Sequence, residues 1–334
     1  MRTPFRTALI LIMTLLFSVF AQADQAWDIY KARFLMPDGR IIDTGNNNIS
    51  HSEGQGFAML GAVANNDREA FDKLWLWTKK TLQNKESGLF YWRYNPASAD
   101  PIVDKNNATD GDTLIAWALL QAETRWQDKQ YGKASDQITK ALLAHMVIDY
   151  AGYKVMLPGK DGFNHNSEVI LNPSYFVFPA WNAFAKRSHL QIWQILMKDS
   201  QTLLSHMGQG VANLPTDWVA LRADGQLSPA TAWPPRMSYD AIRIPLYLYW
   251  YDKQSPLLQP WHNWFSQFNR LETPAWVNVV NDEKAPYMMA GGLLAVRDLT
   301  MGVNLTEPEI STKEDYYSAS LSMLVWLAYQ SSAR

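Results

Sequence analysis

Four short polar clusters each run straight into an apolar, helix-like stretch: Ser52-Glu53-Gly54-Gln55-Gly56, Ala108-Thr109-Asp110-Gly111-Asp112, Asn172-Pro173-Ser174-Tyr175 and Ser238-Tyr239-Asp240-Ala241-Ile242-Arg243. Carboxylates gathered from distant positions suit hydrolysis of a glycosidic bond. One carboxyl gives a proton to the leaving oxygen, and the other, ionised, activates water or attacks carbon. Each cluster taken alone reads first as a helix cap, since Asp and Ser commonly serve at that position and the helix dipole favours an acid there. Asp110 and Asp112 compete for such a role on one helix. Glu53 fits capping poorly, because Glu is a weak N-cap and the glycines at 54 and 56 are costly in a first turn. A helix N-terminus also lowers a carboxyl pKa, which suits a base and opposes an acid. If Glu53 is the acid, burial or a neighbouring negative charge such as Asp110 must outweigh the dipole.

The elements that would carry these clusters are helical. Hydrophobic spacing predicts helices at about 25–35, 55–66, 68–83, 110–128, 130–149, 174–187, 189–206, 238–251, 256–270, 285–299 and 314–331. No alternation is strong enough for a sheet, although Phe90-Tyr91-Trp92-Arg93-Tyr94 could form a short strand. The helices pair by character. Gly56 to Ala62 and Leu114 to Leu120 are apolar nearly all round, whereas 68–83 and 130–149 are amphipathic; Phe71, Leu74, Trp75 and Trp77 lie on one helical stripe. Alternating buried and solvent-facing helices predict an all-α double ring of about six hairpins. Inner helices running the same way would bring the four clusters to one open end. The irregular pieces 84–109, 150–173 and 207–237 are then expected as loops lining a cleft.

The chain begins as an export signal reads: Arg2 and Arg6, an apolar run from Ala8 to Phe20, and a small-x-small site at Ala21-Gln22-Ala23. Cleavage near Ala23-Asp24 would leave 24–334 as a single domain, since no Gly/Ser- or Pro-rich linker divides it. The product would be periplasmic or secreted, with no membrane attachment after cleavage. Losing Arg2 and Arg6 takes Lys+Arg from 30 to 28 against 32 acids, a mature net charge of −4. No basic stripe suits nucleic acid. With no cysteine there is no disulfide and no thiol chemistry. The six histidines form no zinc-type pattern, and no nucleotide loop or serine elbow occurs, so neither metal nor cofactor is expected. The load of 15 Trp, 15 Tyr and 13 Phe is mostly core material, with some rings free to face sugars.

Ser52–Gly56, the run ATDGDTLIAWALLQAETRW from Ala108 to Trp126, and Ser238–Arg243 together resemble glycoside hydrolase family 8, the old cellulase family D, in family order across the whole mature chain. Within that family the short length, the export signal and the Tyr-Asp-Ala-Ile-Arg motif are most similar to the endo-1,4-β-glucanases of bacterial cellulose-synthesis systems. The resemblance implies an (α/α)6 barrel and an inverting endoglucanase acting on cellulose-type β-1,4-glucan, working beside the cellulose synthesis and export machinery. It implies that Glu53 is the general acid and Asp240 the general base, and that Asp110 grips and distorts the sugar at the cleavage point. Tyr175 would support the attacking water and Arg243 would steady the base motif. Trp92 would be a stacking platform, and Asp112 and Tyr239 would complete the substrate contacts. Inversion needs room for a water, so the two carboxyl groups should lie about 6.5–9.5 Å apart.

The same family holds xylanases, lichenases and chitosanases, and the catalytic pair does not separate them. A chitosanase would want more negative charge along the cleft. From other classes, a non-catalytic glycan-binding barrel would keep the aromatics while losing a carboxylate. An α/α-barrel lyase would use a Tyr or His base and release unsaturated products.

Overall fold

In a computed structural model, residues 25–332 are described. The segment 1–23, read from sequence as an export signal, lies outside them. Residues 25–34 are helical (α1), followed by α2 (Ser52–Ala64), α3 (Arg68–Thr81), α4 (Thr109–Trp126) and α5 (Lys129–His145). Next come α6 (Phe178–Ser188), α7 (Gln191–Ser205), α8 (Arg243–Tyr251), α9 (Gln259–Phe265), α10 (Gly291–Thr300) and α11 (Tyr316–Ser332). Every helix expected from hydrophobic spacing has a counterpart.

The two helix characters occupy two layers. In α2 every residue from Gly54 to Val63 is buried, as expected of a helix without a polar face. By contrast α3 buries only Ala70, Phe71, Leu74, Trp77 and Thr78, and Asp67 caps it by accepting from the Ala70 N–H at 3.0 Å. The inner helices touch in succession: α2 meets α4, α4 meets α6, α6 meets α8, α8 meets α10, α10 meets α11, and α11 returns to α2. Outside them α3 backs α2, α5 backs α4, α7 backs α6 and α9 backs α10. On α1, Tyr30 and Phe34 reach α11, where the Tyr30 hydroxyl meets Ser320 Oγ at 3.0 Å. Close approach of α2 to α4 depends on Gly56, where a Cβ would stand 2.6 Å from Leu114 Cβ. One continuous buried core runs from Ala26 to Ala328.

The irregular connections carry more strand than the sequence suggests, so a strictly all-α description needs correcting. Short strands β1 (Ser50–His51) and β2 (Arg93–Tyr94) pair antiparallel, the second falling within the run expected to be extended. The helix expected to 149 ends at His145, and its last residues instead open a hairpin of β3 (Val147–Tyr150) and β4 (Tyr153–Met156) that runs into the stretch read as loop. A three-stranded antiparallel sheet follows, from β5 (Glu168–Leu171), β6 (Val219–Arg222) and β7 (Leu227–Pro229), with Leu171 opposite Val219. Finally β8 (Arg236–Met237) pairs with β9 (Val277–Asn278). Strands of two to four residues are too short to show alternation. Three inner helices also start later than periodicity suggests. Pro173–Tyr175 is a separate 3-10 turn before α6, and the turn 238–242 precedes α8. At α10 the left-handed Gly291 (φ +50°) sets the start. Among the described residues no helix is long and apolar enough to cross a membrane.

Candidate active site

The starts of α2, α4, α8 and α11 and the turn before α6 border one cleft with a cavity of about 650 Å³. Glu53, Asp110, Tyr175, Asp240, Arg243, Trp92 and Tyr239 all line it. The capping alternative falls away for the acids it was meant to explain. The N-cap positions of α2 and α4 are His51 and Ala108, and neither side chain caps. Asp110 Oδ1 accepts only the N–H of its neighbour Gly111, at 2.7 Å, and neither oxygen of Asp240 serves its helix backbone.

Arg243, on the first turn of α8 and 3% exposed, is the hub. Its Nη1 lies 2.6 Å from Glu53 Oε2, and its Nη2 lies 3.1 Å from Asp240 Oδ1 and 3.5 Å from Asp110 Oδ2. Nη2 also donates to Ser174 Oγ at 2.9 Å. A buried guanidinium needs such partners, and its planar fork can serve several at once. Because one rigid fork holds both, Glu53 Oε2 and Asp240 Oδ1 can be no more than about 8 Å apart. The second oxygen of Asp240 accepts from Asn172 Nδ2 at 3.1 Å, and Asn172 Oδ1 in turn takes the Ser174 N–H and hydroxyl.

Burial pushes the Glu53 carboxyl up to about 8. The Arg243 guanidinium opposes this, while the charge of Asp110 and a hydrogen bond shared with it raise Glu53 further. That shared hydrogen bond acts in the opposite sense on Asp110, so the proton belongs to Glu53. Burial raises Asp110 too, but Arg243 and the Gly111 N–H pull it back. The half-buried Tyr175 hydroxyl is held well above its ordinary value, first by burial and then by the charges of Asp110 and Asp240.

Trp92 stands at one wall. Its indole N–H donates to Asp104 at 2.7 Å, and its ring lies parallel to His51, with centroids 6.1 Å apart and planes 3° apart. The β1–β2 pairing and a bond from Ser52 N to Trp92 O (3.0 Å) tie this ring to the start of α2. Tyr239, 41% exposed, sits at the mouth with its hydroxyl 3.2 Å from that of Tyr287, and the Tyr317 hydroxyl donates to its carbonyl. Asp112 is brought elsewhere. It is fully buried behind the Trp92 wall, where it accepts the Phe90 N–H and Asn107 Nδ2, both at 2.7 Å. Its reach is to the backbone that carries Trp92, not to the cleft, because both oxygens are already engaged.

Several cleft residues escape the sequence reading. Asn172 and Ser174 belong to a polar cluster that sequence singles out, yet only Tyr175 is expected to act there. Asp43, Asp315 and Tyr317 line the same cavity, and Asp217 lies just behind it. Nothing local distinguishes them, since their partners are remote in sequence. Among the described residues no group of His, Asp and Glu could hold a metal ion.

Residues 1–331 match Glycosyl hydrolases family 8. An endoglucanase of Cellulomonas uda is 64% identical over 293 residues, covering 88% of this chain and 82% of that protein. A probable endoglucanase of Novacetimonas hansenii is 40% identical over 307 residues, covering 91% and 90%. The crystal structure of endoglucanase Cel10, a family 8 glycosyl hydrolase from Klebsiella pneumoniae, superposes with a TM-score of 0.92 at 65% identity, covering 92% of this chain and 99% of that one. The chain belongs to glycosyl hydrolase family 8.

Proposed function

We propose that this protein is an inverting endo-1,4-β-glucanase acting on cellulose-type glucan, with Glu53 as general acid and Asp240 as general base. The observation that carries this reading is the paired arrangement on Arg243: a half-buried carboxyl pushed up to about 8 at Glu53, and a second carboxylate facing two donors at Asp240. In the reaction, Asp240 takes a proton from a water that attacks the anomeric carbon. The electrons of the glycosidic bond pass to the leaving oxygen, which receives the Glu53 proton. A separation of at most about 8 Å admits the spacing of inverting enzymes, about 6.5–9.5 Å, as well as the shorter one of retaining enzymes, so the anomeric form of the product decides between them. Asp110 and Tyr175 border the same space and are assigned to the sugar at the cleavage point and to the water. Trp92 and Tyr239 are assigned to the flanking sugars.

The succession of inner helices returning to its start supports an (α/α)6 barrel forming one catalytic domain over 24–334. We further infer export to the periplasm or medium with cleavage near Ala23-Asp24, and work beside the cellulose synthesis and export machinery. N-terminal sequencing of the exported protein and the gene neighbourhood test these points. The chemistry is tested by reducing-sugar release from carboxymethyl cellulose, xylan and chitosan by wild type, E53Q and D240N, with the anomeric form of the first product followed by NMR. Chitosan belongs in the set because Asp43 and Asp315 add carboxylates to the cleft. Activity retained in either variant removes that residue from its role, and a product of retained configuration removes inversion.

A further inference from the structure

The general base sits on a turn, not on a helix. Residues 238–242 lie between β8 and the start of α8, and the residue at the N-cap of α8, Ile242, has no side chain able to cap. Asn172 and Arg243 engage the Asp240 oxygens, but the direction of the carboxylate also depends on the backbone of this turn, and activating a water requires it to point at one place. The backbone on both sides of Asp240 is held by a residue from another part of the chain. Asp217 Oδ1 accepts the Ser238 N–H at 2.9 Å and the Ala241 N–H at 2.8 Å, so a single oxygen clamps the turn two residues before the base and one after it. Asp217 is itself fixed, because its own N–H donates to Arg236 O, the first residue of β8, at 2.8 Å.

We propose that Asp217 is a positioning residue for the hydrolysis. It bridges the turn that leads into α8 from both sides of Asp240 and thereby fixes the direction in which Asp240 presents its carboxylate. This rests on the reading of Asp240 as general base. Three observations place Asp217 in that role over a purely structural one. Its carboxyl is pushed up to about 7, by burial first and then by the charge of Asp240, so the two groups feel each other directly. Arg243, the other charged group facing it, pulls the opposite way, as do the two N–H donors. The clamp is also specific to the base turn, since both of its donors flank Asp240 and Asp217 meets neither Glu53 nor Asp110. An ordinary structural aspartate would cap its own chain a few residues on. Here the bonds span 21 and 24 residues and end on the catalytic turn.

The test uses the full exported enzyme on a soluble cello-oligosaccharide, with D217N, D217A, D217E and D240N. Asn keeps an oxygen of the same reach, so D217N should hold the turn and retain kcat to within about threefold of wild type. D217A removes the clamp and should lower kcat about thirtyfold or more, with KM changed less than about threefold, since misplacing a catalytic group by 1 Å costs about 100-fold. The pH profile of D217N should lose any inflection owed to Asp217 near 7 while keeping the Glu53 limb. Should D217A not be recovered folded, D217E carries the test: one added methylene moves the accepting oxygen, and kcat should fall at least tenfold. A D217A or D217E enzyme with wild-type kcat overturns the proposal, as does a D217N enzyme as impaired as D217A. The D240N control separates the two readings. If D240N stays active, the base assignment has failed; if D240N is dead and D217A is not, the positioning role alone has failed.

Discussion

Replacing Gly111 by Ala should disable Glu53, the proposed general acid, without touching it. Gly111 lies in the first turn of α4, packed against the start of α2, and a Cβ there would stand 2.2 Å from Ser52 Oγ and 2.8 Å from both Ser52 C and Glu53 N. The serine oxygen can rotate away, but the two backbone atoms cannot. Ordinary contact begins at 3.4 Å, so the first turn of α2 must retreat by about 0.6 Å, carrying Glu53 with it. A catalytic group misplaced by 1 Å costs about 100-fold in rate, so kcat should fall by roughly 20- to 100-fold. Stability should move far less. Ala gains about 1 kcal/mol over Gly inside a helix, and overpacking costs about 1–3 kcal/mol, leaving a net loss of about 2 kcal/mol at most. Steady-state kinetics on a cello-oligosaccharide, beside thermal unfolding of the same preparation, separate the two effects. A G111A enzyme with kcat within about twofold of wild type would refute the claim that this contact sets the position of Glu53. A collapse of stability with normal turnover per folded molecule would do the same.

Three further outcomes are expected. Glu53 must carry its proton to act, and its carboxyl is pushed up to about 8, so kcat should be full below that and fall as pH rises through it; an alkaline limb centred below about pH 6 would contradict the assignment. The linkage runs the same way: with the folded pKa raised above the ordinary 4.5, the stability tied to this proton is fully present below about 4.5 and lost as pH rises through about 8, and melting curves of E53Q should show a weaker decline over that window. D112N should lower stability by about 1–3 kcal/mol in chemical denaturation, because its new NH2 would face Asn107 Nδ2, and Asn107 cannot flip while its Oδ1 holds the Lys160 N–H at 2.9 Å. W92A should raise KM about tenfold with a smaller effect on kcat, as expected of a ring that meets sugar through its face; an unchanged KM on cello-oligosaccharides would show that Trp92 serves only to pack His51.

What could be read from sequence divides along physical lines. The helices were legible because burial imposes a period that local sequence records, and the contrast between Phe57–Ala62 and 68–83 separates inner from outer members before any coordinates. The convergence of Glu53, Asp110 and Asp240 was legible because helices that run alike must bring their starts together. Asp112 shows where that logic stops. It shares a motif with Asp110 and lies two residues on, which in a helix turns it away to the Phe90 backbone. Asp217 shows a second limit: its value lies entirely in two bonds to the far side of the β6–β8 region, and nothing in Thr216-Asp217-Trp218 hints at them. The sheet β5–β6–β7 was hidden for a related reason, since its first two strands are separated by α6 and α7 and each has only four residues in which to show alternation.

The same contrast explains how the protons are arranged in the cleft. Three carboxyl groups meet one guanidinium, and burial makes three unshared negative charges too costly for a single cation to offset. At least one group must therefore hold a proton at neutral pH, and the local contacts decide which. Asp110 has a helix N–H and the guanidinium to stabilise its charge. Asp240 has Asn172 and the guanidinium, and is the most exposed of the three at 31%. Glu53 has the guanidinium and a weaker pull from His51, and it faces both the charge of Asp110 and a shared hydrogen bond that keeps the proton on Glu53. The proton accordingly settles on Glu53 despite the closeness of Arg243, and that closeness has a second consequence. In the proposed reaction, once Glu53 gives its proton to the leaving group, the new carboxylate already has a cation 2.6 Å away to stabilise it. Arg243 thus opposes protonation in the resting enzyme and favours its loss during the reaction, so the same contact that keeps the acid from being too weak also prepares the site for the charge that catalysis creates.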